Sequence, residues 1–435
     1  SEGRPAQGSN DVNVLIPTIN SIPRTLDMKT IRENWITEDE KAYAIDGTSS
    51  GKTNNPFWII NKNKYTDNVD RFIGSAMVEF EPVKNLKISN NAGIDYYKED
   101  RRQVWAYNTI GKQKGAFDTY DITSRVINND LILTYDWQIN EDFGLKVIAG
   151  QNIYESEIKR LIVNASDLLV PDVYAYANAE AKIPTNIYRK NRLVGLYGDI
   201  GFSFRNMVFL NVTGRNDWSS TMPKSHRSYF YPSVSAGFVF TELIPANDIL
   251  SYGKFRINYA NVGSDTNPYA LDYVYTPENS YFLQFIGSDG GKFPHGGLLG
   301  YAIPGRYPDP NLKPQNQSAF EIGADLRLFN GRITIDATYY RNMTTNNIAD
   351  IDAPNSTGYF YFKKNAGKIL NKGVELMVGL TPVHNQVKWD INLNFAANRQ
   401  TVKELDPSVD MLNLTSGWSG LQVKAAVGEP FSLYG

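Results

Sequence analysis

The chain has 435 residues, a formal net charge of -2 and no cysteine. The near-neutral balance gives no electrostatic basis for a nucleic-acid partner, and the missing thiols exclude disulfides, thiolate metal sites and thiol nucleophiles. No run of roughly 18 apolar residues exists, which excludes a membrane-spanning helix but not a spanning barrel, whose alternating strands average to ordinary hydropathy.

The N-terminal SEGRPAQGSNDVN has neither the basic start nor the apolar core of a signal peptide. The expectation is that a leader was removed or that the chain starts inside a larger precursor. Leu26 to Ile45 is rich in Lys and Glu, with Met28, Ile31 and Trp35 at near-helical spacing. It reads as a short surface helix within a long outer loop. NPFW (Asn55–Trp58), followed by Asn61, Asn63 and Asn68, reads as ordered loop leading into the first strand. Residues 1–70 are thus assigned to an extracellular loop region, and 71–435 to a barrel.

From Arg71 onward the recurring element is a strand of about ten residues with period-2 alternation. Phe72, Gly74, Ala76, Val78 and Phe80 share one face, opposite Arg71, Ser75, Glu79 and Glu81. Leu86 to Tyr96, Leu131 to Trp137 and Leu145 to Ala149 follow the same rule. So do Val194 to Phe204, Val208 to Val212, Phe230 to Phe240 and Phe255 to Tyr259. The series continues with Phe320 to Leu328, Ile333 to Tyr339, Val374 to Leu380 and Val387 to Phe395. That makes about twelve or thirteen strands in an all-β, antiparallel chain.

The connections alternate in length. Short links fall at Glu81–Asn85, Asn140–Asp142, Arg205–Asn206, Asn330–Gly331 and Pro382–Gln386. Long polar loops are expected at Lys98–Ser124, Tyr154–Asn191, Gly263–Gln317, Asn342–Lys372 and Asn398–Gln422, while Asp217–Arg227 and Glu242–Ser251 break the rule. Short turns on one rim and long loops on the other are the pattern of an outer-membrane barrel, turns periplasmic and loops extracellular. A soluble sandwich also alternates, but rarely carries several loops of about 25 residues. Tyr135 and Trp137, Tyr339 and Tyr340, and Phe238 and Phe240 sit near strand ends, as interfacial aromatics do.

No catalytic constellation emerges. His226, His295 and His384 are scattered singly, without zinc-site spacing. Gly287–Gly297 (GSDGGKFPHGG) has glycines but not the order of a phosphate cradle. In GRNDWSS (Gly214–Ser220), Asp217 and Ser219 are expected to satisfy exposed backbone groups at a strand end. Ligand contacts are sought instead where aromatics stand beside polar groups in outer loops. These are Tyr281, Phe282 and Phe285, then Arg306 and Tyr307, then Tyr359, Phe360 and Tyr361. Loop packing is the competing role for each.

Several stretches resemble the SusC/RagA family of TonB-dependent outer-membrane transporters. They are NPFW with DRFIGSAMVEFEPVKNLKISNNAGIDYYKED (Asp70–Asp100), GRNDWSS with YFYPSVSAGFVFTE (Tyr229–Glu242), KFRINYANVGSD (Lys254–Asp265), PNLKPQNQSAFEIGADLRLFNGRITIDATYYRNMTTNNI (Pro310–Ile348) and NAGKILNKGVELMVG (Asn365–Gly379). Gln315 departs from the glutamate usual in that pattern. The resemblance implies a barrel of about 22 strands around an N-terminal plug. It implies import of a glycan or peptide beneath a SusD-like lipoprotein lid, driven by the TonB complex acting on the plug, with no cofactor. On that footing this chain is expected to be a C-terminal portion lacking plug, early strands and final strands, a complete twelve-stranded barrel being the alternative. A surface receptor or adhesin acting through its loops without energised transport is the competing function.

In NAGKILNKGVELMVGLTP (Asn365–Pro382), Val374, Leu376, Val378 and Leu380 are expected to meet lipid. Glu375, like Glu321 and Asp325, is expected to face a hydrated lumen. Gly367 and Gly373 are expected to turn the chain down from an outer loop, and Pro382 to close the strand. Glu375→Leu should then be tolerated better than Leu376→Glu.

Overall fold

The protein is described by a computed structural model covering residues 27–38, 40–42, 54–245, 247–277, 298, 300–384, 387–416 and 422–434. Its first eight strands are β1 (Tyr65–Val83), β2 (Leu86–Trp105), β3 (Ala116–Gln138), β4 (Phe143–Leu168), β5 (Ala179–Phe204), β6 (Val208–Ser219), β7 (Ser228–Val239) and β8 (Leu250–Ser264). Three short strands follow, β9 (Thr276–Pro277), β10 (Tyr301–Ala302) and β11 (Arg306–Pro308). Next come β12 (Gln315–Leu328), β13 (Ile333–Thr345), β14 (Ile348–Asp352), β15 (Tyr361–Asn365), β16 (Gly367–His384) and β17 (Lys388–Leu405). The last are β18 (Met411–Ser416), β19 (Gln422–Ala426) and β20 (Ser432–Tyr434).

Twelve of these strands form one sheet, in the order β1 to β8, then β12, β13, β16 and β17. The short links close by turn chemistry. Arg205 and Asn206 adopt φ 49 and 53°, and Phe329, Asn330 and Gly331 adopt φ 53, 55 and 85°, left-handed values that match hairpin twist. At the β3–β4 turn the Asn140 side chain accepts from the backbone of Asp142 and Phe143, each at 2.9 Å.

At the other end the strands run past their expected limits. β4 and β5 have 26 residues each, against about ten needed to cross a bilayer. The loops expected at Lys98–Ser124 and Tyr154–Asn191 therefore shrink to 106–115 and 169–178. Polar residues in those stretches hid the continuing ladders, because strands projecting into water need no apolar face.

The register separates two faces. Ala324, Ala337, Leu376 and Phe395 lie directly across from one another on β12, β13, β16 and β17, as do Leu326, Ile335, Val378 and Leu393. The alternate rows carry Asp325 opposite Asp336, and Glu375 opposite Thr338. Among the described residues nothing covers the aliphatic face: Leu393 is 56% and Phe395 57% exposed. A contiguous apolar surface of that kind marks a membrane or partner contact. The buried clusters lie in the loops and long strand extensions instead.

The described residues fall into two compact units. The first takes residues up to 76 with 92–128 and 155–190. Within it, the helix expected over Leu26 to Ile45 is only Met28–Glu33, and NPFW opens a second helix, Pro56–Lys62, rather than a loop. Asn55 caps that helix and Pro56 sits in its first turn, which fixes the start without an unsatisfied donor. Trp58 is 1% exposed and packs with Ala42 and Ala106, flanked by Trp35, Ile36 and Ile110. Its indole nitrogen donates to the Thr109 hydroxyl at 2.9 Å, and that hydroxyl donates to Asn63 at 3.0 Å. Asn54 brackets Ile110 through both its backbone groups, at 2.9 and 3.1 Å. Asparagines thus supply the hydrogen bonds that a sheet ladder cannot give here. A second core joins Val104, Phe117, Ala165, Leu168 and Ala179.

The second unit holds 77–91, 129–154 and everything from 191 onward. Its buried cluster is Ile351, Ala366, Val402, Leu412 and Ala425. Gly367 passes so close to the Glu404 carbonyl that an added Cβ would meet the oxygen at 2.1 Å, so the glycine admits close backbone approach. Gly373 is not at a turn but within β16, where the Tyr340 ring lies across it. Pro382 does not end the strand either. It lies in the irregular step between Leu380 and Val383, and β16 continues to His384.

Candidate functional site

The loop residues singled out in the sequence divide into two groups. Tyr281, Phe282 and Phe285 lie outside the described residues, as does the glycine-rich Gly287–Gly297. Arg306 and Tyr307 are brought beside Tyr359, Phe360 and Tyr361 by a small three-stranded sheet, in which β15 pairs β11 in parallel and β14 antiparallel. Arg306 stands opposite Tyr361 in that register. The Gly305 carbonyl accepts from the Phe360 and Tyr361 backbone at 2.7 and 3.1 Å, which locks the two segments together.

On this sheet the Tyr307 ring sits 5.2 Å from Tyr359 and 6.1 Å from Phe362. Tyr273, which sequence reading missed, completes the group: its ring is 6.2 Å from Tyr307, and its hydroxyl is 2.8 Å from that of Tyr359. That hydroxyl contact, with partial burial, pushes the Tyr359 phenol up to about 12. It stays protonated at physiological pH. Beside the rings, Asp350 binds Arg306 at 2.6 Å and Lys363 at 3.2 Å. The result is an aromatic patch edged by a charged cluster. Such rings can cover apolar C–H surface while the hydroxyls and the guanidinium hydrogen-bond a polar ligand.

The patch is held from below by Asn365. Its side chain donates to the carbonyls of Lys313 and Asn346 at 2.8 and 2.9 Å and accepts from the Lys313 backbone at 2.9 Å. PNLKP and NAGK are therefore stitched together across the chain, with Leu312 fully buried at the join. Asn365→Leu removes all three bonds. We expect a loss of about 1–3 kcal/mol, read as faster protease cleavage in 309–314 while the sheet itself stays folded.

Glu375, Glu321 and Asp325 share the polar face of the sheet with Arg256. That guanidinium reaches Asp325 at 2.7 Å, Asp336 at 2.6 Å and the Thr338 hydroxyl at 2.6 Å. Asp325 and Asp336 stand directly opposite each other, so Arg256 neutralises a pair that would otherwise repel. Towards the short turns the same face bounds a concavity of about 670 Å³, lined by Asp136, Lys146, Lys254 and Arg256 together with Trp137 and Phe209.

GRNDWSS departs from expectation at Asp217. Its carboxylate is 3% exposed and is held by Arg215 at 2.8 Å and by the Tyr231 hydroxyl, not by backbone groups. Ser219 does accept from the Thr221 backbone, at 3.2 Å, and also donates to Asp265. The His226 ring meets the Ser225 hydroxyl at 3.1 Å, and its backbone N–H donates to the Pro223 carbonyl at 2.9 Å.

The family described as TonB dependent receptor-like, beta-barrel matches residues 25–425. The TonB-dependent receptor P26 of Formosa agariphila is 21% identical over 391 residues, covering 87% of this chain and 38% of that protein. The TonB-dependent receptor SusC of Bacteroides thetaiotaomicron is 24% identical over 376 residues, covering 81% of this chain and 35% of that protein. The chain thus spans well under half the length of these relatives. Among solved structures, the RagAB peptide importer in its closed-closed state superposes with a TM-score of 0.75 at 18% identity, over 87% of this chain and 41% of that one. The open-open state gives 0.70 at 20% identity. At those identities the likeness concerns the fold.

Proposed function

The chain belongs to the TonB-dependent receptor-like β-barrel family, and from that premise we propose that it forms barrel wall and outer loops of an importer for an oligomeric nutrient, a glycan or a peptide. The observation that carries this reading is the pairing of an uncovered aliphatic sheet face with a polar opposite face. The first suits lipid, and the second, with Glu375, Glu321 and Asp325, suits a hydrated lumen. SusC among the relatives and RagAB among the structural neighbours support a receptor of the SusC/RagA kind in the outer membrane. A SusD-like surface lipoprotein is then the partner above the long loops, and the TonB complex supplies the energy through a plug. The Tyr273, Tyr307, Tyr359 and Phe362 patch, with Arg306, is the surface offered to ligand.

The test is uptake of fluorescent oligosaccharides and peptides by cells carrying the full-length receptor, with and without a protonophore. Accumulation should stop when the proton gradient collapses. A Tyr307→Ala, Tyr359→Ala double variant should bind ligand at least about tenfold more weakly, since each ring contributes about 1 kcal/mol. Binding that persists with no protonophore-sensitive uptake would favour a surface receptor or adhesin instead.

A further inference from the structure

On the aliphatic face, one cross-strand row is not aliphatic. Phe320, Arg341, Lys372 and Arg399 stand opposite one another on β12, β13, β16 and β17. The row on the short-turn side of it is Ile322, Tyr339, Val374 and Ala397. With strands about 4.8 Å apart, three cationic side chains are rooted within about 10 Å of one another. Like charges directly opposite are destabilising unless something neutralises them. All three are exposed, and none forms an ion pair or hydrogen bond among the described residues. Some basic side chains elsewhere on the long strands are paired with carboxylates. Arg125, Lys159 and Lys190 each reach Glu155 or Glu157 within 2.9 Å. The same row continues on β8, β7 and β6 through Tyr259, Val234 and Val212, none of which carries a charge.

Depth explains what could neutralise the row. Arg341 lies eight residues beyond Ile333, at the short-turn end of β13. Eight residues rise about 27 Å along a strand, or about 19–22 Å across a bilayer at the usual tilt, against an apolar band about 25 Å tall. The row therefore falls at the long-loop edge of that band, where aliphatic side chains give way to headgroups. Tyr339, one row deeper beside Arg341, has the amphipathic character of an interfacial anchor.

We propose that Arg341, Lys372 and Arg399 form a binding site for the phosphate of an anionic outer-leaflet lipid. The acyl chains would lie on Val374, Leu376 and Phe395 below. Guanidinium forks suit phosphate oxygens bidentately, and the central ammonium adds a compact charge. Isolated cations at this depth would simply reach for water. Three in register, with no carboxylate among them, instead converge on one anion. The proposal rests on the face assignment above and goes beyond it, adding a lipid partner that the transport function does not require.

The test uses the full-length receptor purified in mild detergent and native mass spectrometry. The probes are lipid A with its two phosphates, the same glycolipid after phosphatase treatment, and inorganic phosphate. The native protein should retain the phosphorylated glycolipid at least tenfold better than the treated one, and inorganic phosphate at equal concentration should not displace it. Arg341→Gln with Lys372→Gln and Arg399→Gln should abolish that preference, whereas Arg341→Lys with Arg399→Lys should keep most of it. Equal retention by the triple glutamine variant, or displacement by free phosphate, would overturn the site. If that variant does not assemble, the comparison of phosphorylated with treated lipid on the native protein decides. A wrong face assignment would show itself separately, by normal assembly of a receptor charged at Leu376.

Discussion

Trp58→Ala should cost about 3–5 kcal/mol, the usual range for deleting a buried tryptophan, and the loss should be local. The indole is the centre of the cluster with Ala42 and Ala106, flanked by Trp35, Ile36 and Ile110. Removing it leaves a cavity and also strips the Thr109 hydroxyl of its 2.9 Å donor. Asn54, Asn55 and Asn63 hold the surrounding backbone through geometry that the ring maintains, since all three are buried with it. The strand wall has its own ladders and does not pass through this cluster. Limited proteolysis should therefore show rapid cleavage in 31–38, 54–63 and 106–115 in the variant, with the barrel band unchanged on a semi-native gel. Trp58→Phe should keep most of the packing and lose only the hydrogen bond, a milder effect of about 1–2 kcal/mol. Equal protease resistance of Trp58→Ala and native protein would show that the cluster does not hold these segments.

The second large effect concerns the wall. Leu376→Arg should cost about 2–4 kcal/mol, the price of a cation on the lipid face near the bilayer midplane. Leu376 is four residues from Leu380, which pairs with Ile333 at the start of β13; measured from that level it lies about 10 Å into a band about 25 Å tall. Its cross-strand neighbours are Ala337 and Phe395, too small or too apolar to shelter a guanidinium. Glu375→Leu changes the adjacent residue but the opposite face. There the neighbours are Thr338 and Ala396, and the fold should accept it within about 1 kcal/mol. The measurement is the fraction of receptor reaching the outer membrane as a folded, heat-modifiable band. A similar loss at both positions would show that the faces are not distinguished by solvent.

The wall was legible in the sequence because its physics is periodic. Val374 to Leu380 and their counterparts announce a face by parity alone, and turn residues such as Asn206 and Asn330 mark where hairpins close. The strand extensions were not legible: in β4, Tyr154 to Leu168 alternates no solvent preference, since both sides of that stretch are wet or loop-covered. The helix Pro56–Lys62 could have been read from Asn55 and Pro56, a cap and a first-turn proline, but seven residues are too few for helical periodicity to show. The aromatic patch was half legible. Tyr307 and Tyr359 stood out as loop aromatics, while Tyr273, whose hydroxyl meets Tyr359 across 86 residues of chain, gave no local signal. The cationic row needed register: Lys372 lies in view within NKGVE, but only the pairing places Arg341 and Arg399 beside it.

The parallel pairing of β11 with β15 also has a kinetic meaning. Arg306 and Tyr361 are adjacent in space, yet the whole β12–β13 hairpin lies between them in the chain. Closing that ladder early would mean confining a long flexible loop for only a few bonds. Once the hairpin has zipped and β16 has docked on β13, its ends are already fixed and the closure is nearly free of entropic penalty. The patch that brings Tyr307 to Tyr359 is thus expected to close late in assembly. A chain stalled before its wall is complete would carry every residue of that patch and yet present none of it as one surface.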